Sequence, residues 1–135
     1  VSNYQPYVIS ENLIFLSGQV TIWNGEIKYQ GKIGRDLTVD QGYDAARMCG
    51  LNLIAQVKAA CNGDLDRVKR VVKLGAFVNC VEDFKEHPNV VNGASDLMAE
   101  VFDDAGRCSR TNAGVPSLPL GFAVEIDGVF EIENK

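Results

Sequence analysis

A chain of 135 residues, 46% hydrophobic and 23% charged, has the size and balance of one domain with one sizeable core, so residues 1–135 are expected to fold as a single unit. The formal net charge of -5 argues against a protein held on nucleic acid through phosphate contacts. No apolar run approaches the roughly 18 residues a membrane helix needs, and no basic, apolar signal segment opens the chain, so neither a nucleic-acid nor a membrane partner is expected.

The run Asn12–Ser17 is short and apolar and ends at Gly18, which suits a buried strand. Val20–Trp23, then Asn24-Gly25, then Glu26–Tyr29 read as a hairpin, because Asn-Gly tolerates the positive φ angles of a type I′ turn. Thr38 with Gln41 three positions on forms a capping box. Behind it, Val39, Tyr43, Ala46, Cys49, Leu53, Val57 and Ala60 recur at helical spacing, widened by Leu51, Ile54 and Ala55, until Asn62-Gly63 ends the helix. Residues 68–80 switch to period two, with Val68, Val72, Leu74, Ala76, Val78 and Cys80 on one face and Arg67, Lys69, Lys73 and Asn79 on the other.

Pro88 suits the first turn of a second helix, whose stripe is Val90, Val91, Ala94, Leu97, Met98, Val101, Phe102 and Ala105. Strands from Cys108 to about Val115 and from about Ala123 to Ile132 close the chain. The fold class is therefore α+β, with two long helices on one face of a mixed sheet of about five or six strands. The other face, with Val71, Phe77 and Val129 among charges, must meet water or another subunit, which points to self-association.

The inventory of reactive groups is short. Cysteines stand at 49, 61, 80 and 108 with no CxxC pair, and His87 is the only histidine, so no metal site is expected. The even cysteine count allows two disulfides. A core of this size does not need them, and Cys49 and Cys80 occupy apolar periodic positions, so buried thiols in a reducing, cytoplasmic setting are the better expectation. With one histidine, no Ser-His-Asp or Cys-His arrangement is expected, and His87 reads as a capping or surface residue. Arg110 shares a strand face with Asn112 and Gly114. It is either a surface ion pair or a fixed fork of donors for a carboxylate. Glu125 is one of an acidic row, and Tyr4 is a possible packing aromatic.

Four stretches together resemble the RidA (YjgF) family across essentially the whole chain. They are Tyr4 with Asn12–Gln19 ending Ser-Gly-Gln, Asp64–Lys73, Asn92 near the second helix start, and Arg110 followed fifteen positions later by Val124-Glu125-Ile126. The resemblance implies a fold similar to chorismate mutase and a barrel-like homotrimer with clefts between subunits. It also implies hydrolysis of reactive 2-imino acids, the 2-iminobutanoate and 2-iminopropanoate kind, without a cofactor. Carried over, Arg110 would bind the substrate carboxylate and Glu125 would position the attacking water. Tyr4, from the same or the neighbouring subunit, would line the pocket with Ser17, Gly18 and Asn92 near it.

Two departures stand out. Asn112 occupies a position where the family often has cysteine, which alters the pocket but removes nothing an imine hydrolysis requires. Residues 114–121 are longer and richer in proline than is common, which bears on the substrate side chain. Alternatives of the same fold are a non-catalytic carboxylate-binding regulator and, against the acidic charge, an endoribonuclease or translation inhibitor.

Overall fold

The computed structural model describes residues 3–133. Strands β1 (Tyr7–Ser10), β2 (Leu13–Gln19), β5 (Val68–Asn79), β6 (Ser109–Val115) and β7 (Val124–Ile132) form one sheet in the order β1-β2-β7-β5-β6. A separate small ribbon pairs β3 (Ile22–Trp23) with β4 (Glu26–Ile27). Helices α1 (Val39–Ala60) and α2 (His87–Phe102) lie on one face of the large sheet. All large-sheet pairings are antiparallel except β5 with β6, where α2 supplies the crossover that parallel neighbours require.

Local chemistry accounts for most boundaries. Thr38 accepts a hydrogen bond from the Gln41 backbone, and Gln41 Oε1 accepts one from the Thr38 amide, closing both halves of the capping box. In the hairpin turn Asn24 has φ 51° and Gly25 φ 78°, the left-handed pair that a type I′ turn demands. The helices cross closely at Gly93, where a Cβ would come 2.0 Å from the Tyr43 carbonyl oxygen. Tyr43 donates to Asp96 (2.7 Å), and Arg47 grips Glu100 (3.1 Å), at the rim of that crossing.

The core joins Leu53 and Val57 of α1, Val90, Ala94 and Met98 of α2, and Leu74, Val78, Ile126 and Phe130 of the sheet. Along β7 burial alternates without interruption, so Val124, Ile126, Phe130 and Ile132 face the helices while Glu125, Asp127, Val129 and Glu131 face away.

Three expectations are corrected. In β5 the pairing with β7 shifts between Val68 and Arg70 and again between Val71 and Lys73. These irregularities turn Val71 into the core and leave Val72 half-buried, so Val71 does not belong to the uncovered face. On α2, Val101 is exposed, and Ala105 lies past the helix in a short 3-10 turn. Ala55 of α1 is exposed as well. The uncovered face carries Phe15 and Phe77, both exposed, beside the β7 carboxylates. Among the described residues no helix is long and apolar enough to cross a membrane.

Candidate active site

Arg110 sits on the edge strand β6, paired with Leu74 of β5. Parallel partners point the same way, and Leu74 is fully buried, so Arg110 turns toward the helices. Its Nη1 donates to Asn92 Oδ1 (2.8 Å) and to Ser95 Oγ (3.0 Å). Asn92 and Ser95 are three residues apart on α2 and therefore neighbours on one helix face. Among the described residues no carboxylate lies within ion-pair distance of Arg110. Two neutral oxygens thus hold a half-buried guanidinium in place without neutralising it. Asn112 follows on the same face, opposite Ala76. Sequence reasoning missed Ser95; its spacing of three from Asn92 was the available signal.

Glu125 occupies the other face. Its partner on β5 is Phe77, three positions from Leu74, so the odd offset puts Glu125 and Arg110 on opposite sides of the sheet. Glu125 Oε2 rests against Gly18, where a Cβ would come within 2.4 Å of it. Asp127 rests in the same way on Gly75, 2.5 Å from where a Cβ would stand. The two strands flanking β7 each give a bare backbone position to one carboxylate.

Burial, and secondarily the charge of Asp127, pushes the Glu125 carboxyl above its ordinary range. Burial also raises Asp127, opposed by Lys73 and by the Gly75 backbone donor. Both groups hold their protons more tightly folded than unfolded. Their contribution to stability is therefore present below the ordinary carboxylate range and is lost as pH rises through the elevated values. Glu125→Gln should accordingly raise the Tm at pH 7, with the gain vanishing as pH falls into the ordinary carboxylate range, read by thermal melts across that range.

Tyr4, Ser17 and Gly18 line a cavity of about 490 Å³ together with Gln19, Val20 and Asn52. Tyr4 is 69% exposed at its mouth. Ser17 Oγ donates to the Gln5 carbonyl (2.6 Å), which ties the N-terminal segment to β2. The expected site residues thus fall into two groups: Tyr4, Ser17, Gly18 and Glu125 around β2, and Arg110, Asn92 and Asn112 around β6. Strands β7 and β5 stand between them, a lateral separation of about 14 Å between β2 and β6. Within one chain Ser17 and Gly18 are not near Asn92.

His87 is neither cap nor free surface. Glu86 is the cap residue, and His87 is half-buried, with Nε2 3.5 Å from Cys80 Sγ. A Cys–His pair therefore exists, because the turn after β5 folds the start of α2 back over the strand end. All four cysteines are free: Cys49, Cys61 and Cys80 are buried and Cys108 is half-buried.

An α+β domain with two helices on one face of a mixed sheet, built in this strand order, is of the chorismate mutase-like class. Residues 1–129 match the family described as "YjgF/chorismate_mutase-like, putative endoribonuclease". The chain belongs to this family, the RidA (YjgF) family.

It is similar to Protein TCP17 of Trypanosoma cruzi, with 46% identity over 134 residues, covering 98% of this chain and 83% of that protein. Among solved structures it resembles Atu1372 of Agrobacterium tumefaciens, of unknown function, at 46% identity and TM-score 0.96, over 98% of this chain and 83% of that one. It also resembles a Shewanella oneidensis protein carrying the endoribonuclease label, at 40% identity and TM-score 0.94, over 98% and 87% of the two chains.

Proposed function

We propose that this chain hydrolyses small reactive 2-imino acids, of the 2-iminobutanoate and 2-iminopropanoate kind, to 2-oxo acids and ammonia at sites shared between copies. The observation that supports this most is the guanidinium of Arg110, positioned by Asn92 and Ser95 and, among the described residues, left without an acidic partner in an acidic protein. A carboxylate is the ligand such a fork takes best, through charge-assisted, bidentate hydrogen bonds.

The chemistry asks little more. A protonated imine is already electrophilic, so the protein has to place one water against one carbon. Glu125 takes a proton from that water as the C–O bond forms, giving a carbinolamine. Glu125 passes that proton to the amine nitrogen and then takes the hydroxyl proton, so that the C–N bond breaks, ammonia leaves and the C=O bond forms. The elevated proton affinity of Glu125 moves it toward the pH at which a general base works well. No step calls for a thiolate, so Asn112 in place of cysteine is compatible with the reaction.

Arg110 and Glu125 cannot meet within one chain, being on opposite faces of the sheet. In the proposed assembly, a homotrimer, the β6 edge of one copy stands against the uncovered face and β2 end of the next. Arg110, Asn92 and Asn112 then meet Glu125, Gly18, Ser17 and Tyr4 of the neighbour. The endoribonuclease reading has less support, since a net charge of -5 repels RNA phosphates.

Two measurements test this. Purified protein should accelerate ammonia release while an amino-acid oxidase generates 2-iminopropanoate, and equal rates with and without protein would refute the reading for that substrate. Sedimentation should show a species of about three times 14.7 kDa. A monomer at assay concentration would eliminate the shared site.

A further inference from the structure

We propose that Cys80 and His87 form a second reactive site, a thiol–imidazole pair that adds to small α,β-unsaturated carbonyl compounds. Four observations converge on it. Cys80 Sγ and His87 Nε2 stand 3.5 Å apart, within hydrogen-bonding distance for sulfur. The Phe84 ring meets the imidazole edge-on at 5.1 Å and restricts its rotation.

Gly114 of β6 lies against the pair, and a Cβ there would come within 2.4 Å of Nε2 and 2.9 Å of the sulfur, so only a bare backbone fits beside both. The two side chains also share the wall of a cavity of about 600 Å³, whose other lining includes Lys32, Val81, Phe84, Val115 and Pro116.

This cavity suits a small, largely apolar electrophile. Val81, Phe84, Val115 and Pro116 supply its apolar wall; Lys32, Arg35 and Glu82 line it as well, with Arg35 paired to Asp36 and Lys32 held by Asn79 Oδ1 (3.1 Å) and the Pro116 carbonyl. Burial pushes the Cys80 thiol up, and the Lys32 charge pulls it down less strongly. Burial thus favours the protonated thiol, and His87 Nε2, within hydrogen-bonding distance of it, acts as base when an acceptor arrives.

In the addition, the sulfur forms a bond to the β-carbon of the acceptor as His87 Nε2 takes the thiol proton. The C=C electrons move to the carbonyl oxygen, as an enolate facing the Lys32 side of the cavity. His87 then returns the proton to the α-carbon. Thiol and enone give one thioether adduct, with nothing oxidised or reduced.

The other cysteines lack this setting. Cys49 is wholly buried, and Cys61 and Cys108 line other clefts whose walls carry no imidazole. They serve as internal controls. The full chain is treated with trans-2-hexenal below stoichiometry, and the labelled cysteine is found by peptide mass spectrometry.

Cys80 should carry the first adduct. His87→Gln should slow its labelling by about tenfold or more while leaving the rates at Cys61 and Cys108 unchanged. Arg110→Ala should leave Cys80 labelling intact, which separates this site from imine hydrolysis. First labelling at Cys61 or Cys108 in the unaltered protein overturns the proposal whatever the variants do. So does a Cys80 rate indifferent to His87→Gln.

Discussion

Arg110→Ala should abolish most of the acceleration of ammonia release while leaving the fold in place. Hydrogen bonds to a charged group are worth about 1.5–3 kcal/mol, which predicts a fall in kcat/KM of about 10- to 150-fold from lost carboxylate binding alone. Misplacing the imine carbon against its water adds to that loss. Stability should change little, because the two oxygens left behind, Asn92 Oδ1 and Ser95 Oγ, belong to half-buried residues that water reaches.

Arg110→Lys sharpens the test. Lysine keeps the charge but offers a point donor in place of a planar fork, and it cannot hold Asn92, Ser95 and a carboxylate in the same geometry. An intermediate rate with a raised KM is expected from steady-state kinetics on 2-iminopropanoate. A rate equal to the unaltered protein in Arg110→Ala would remove Arg110 from the mechanism.

Much of the fold was legible because local chemistry and tertiary packing agree. The Thr38–Gln41 box marks the start of α1, Asn24-Gly25 marks the turn of the β3–β4 hairpin, and the unbroken alternation of β7 gives both its faces. Strand β1 was not legible. Tyr7, Val8, Ile9 and Ser10 lie at a sheet edge with three of four residues exposed, so no alternation records a buried side. The shifts in β5 were hidden for a related reason: Val71 and Val72 are adjacent, and only pairing with β7 decides which one turns inward.

The site shows the same division. The residue types around Arg110 and Glu125 could be read, but their placement could not. Which side of the sheet Arg110 takes depends on its register with Leu74, a tertiary fact that spacing along the chain does not carry. The contact of Cys80 with His87 likewise depends on how the turn between them folds. Gly18 and Gly75 left a fainter trace, as glycines inside strands where bulkier residues would ordinarily pack.

The geometry that separates Arg110 from Glu125 makes a second large effect measurable. Arg110→Ala and Glu125→Gln should each be nearly inactive alone. Co-expressed with different tags and purified through both, the two variants should recover activity. In a mixed ring, a site whose Arg110 comes from the Glu125→Gln chain and whose Glu125 comes from the Arg110→Ala chain is chemically complete. With random assembly of equal amounts, about one site in four is of this kind, and selecting mixed rings raises that fraction.

A double variant carrying both substitutions on one chain, co-expressed with unaltered chain, also leaves about one complete site in four, formed only between two unaltered neighbours. It calibrates the assay for the effect of mixing itself. If each active site were built within a single chain, the paired single variants would stay as inactive as either one while the calibration mixture kept its activity. Recovery therefore depends on the feature that separates the two models, namely whether the carboxylate on β7 serves its own guanidinium or a neighbour's.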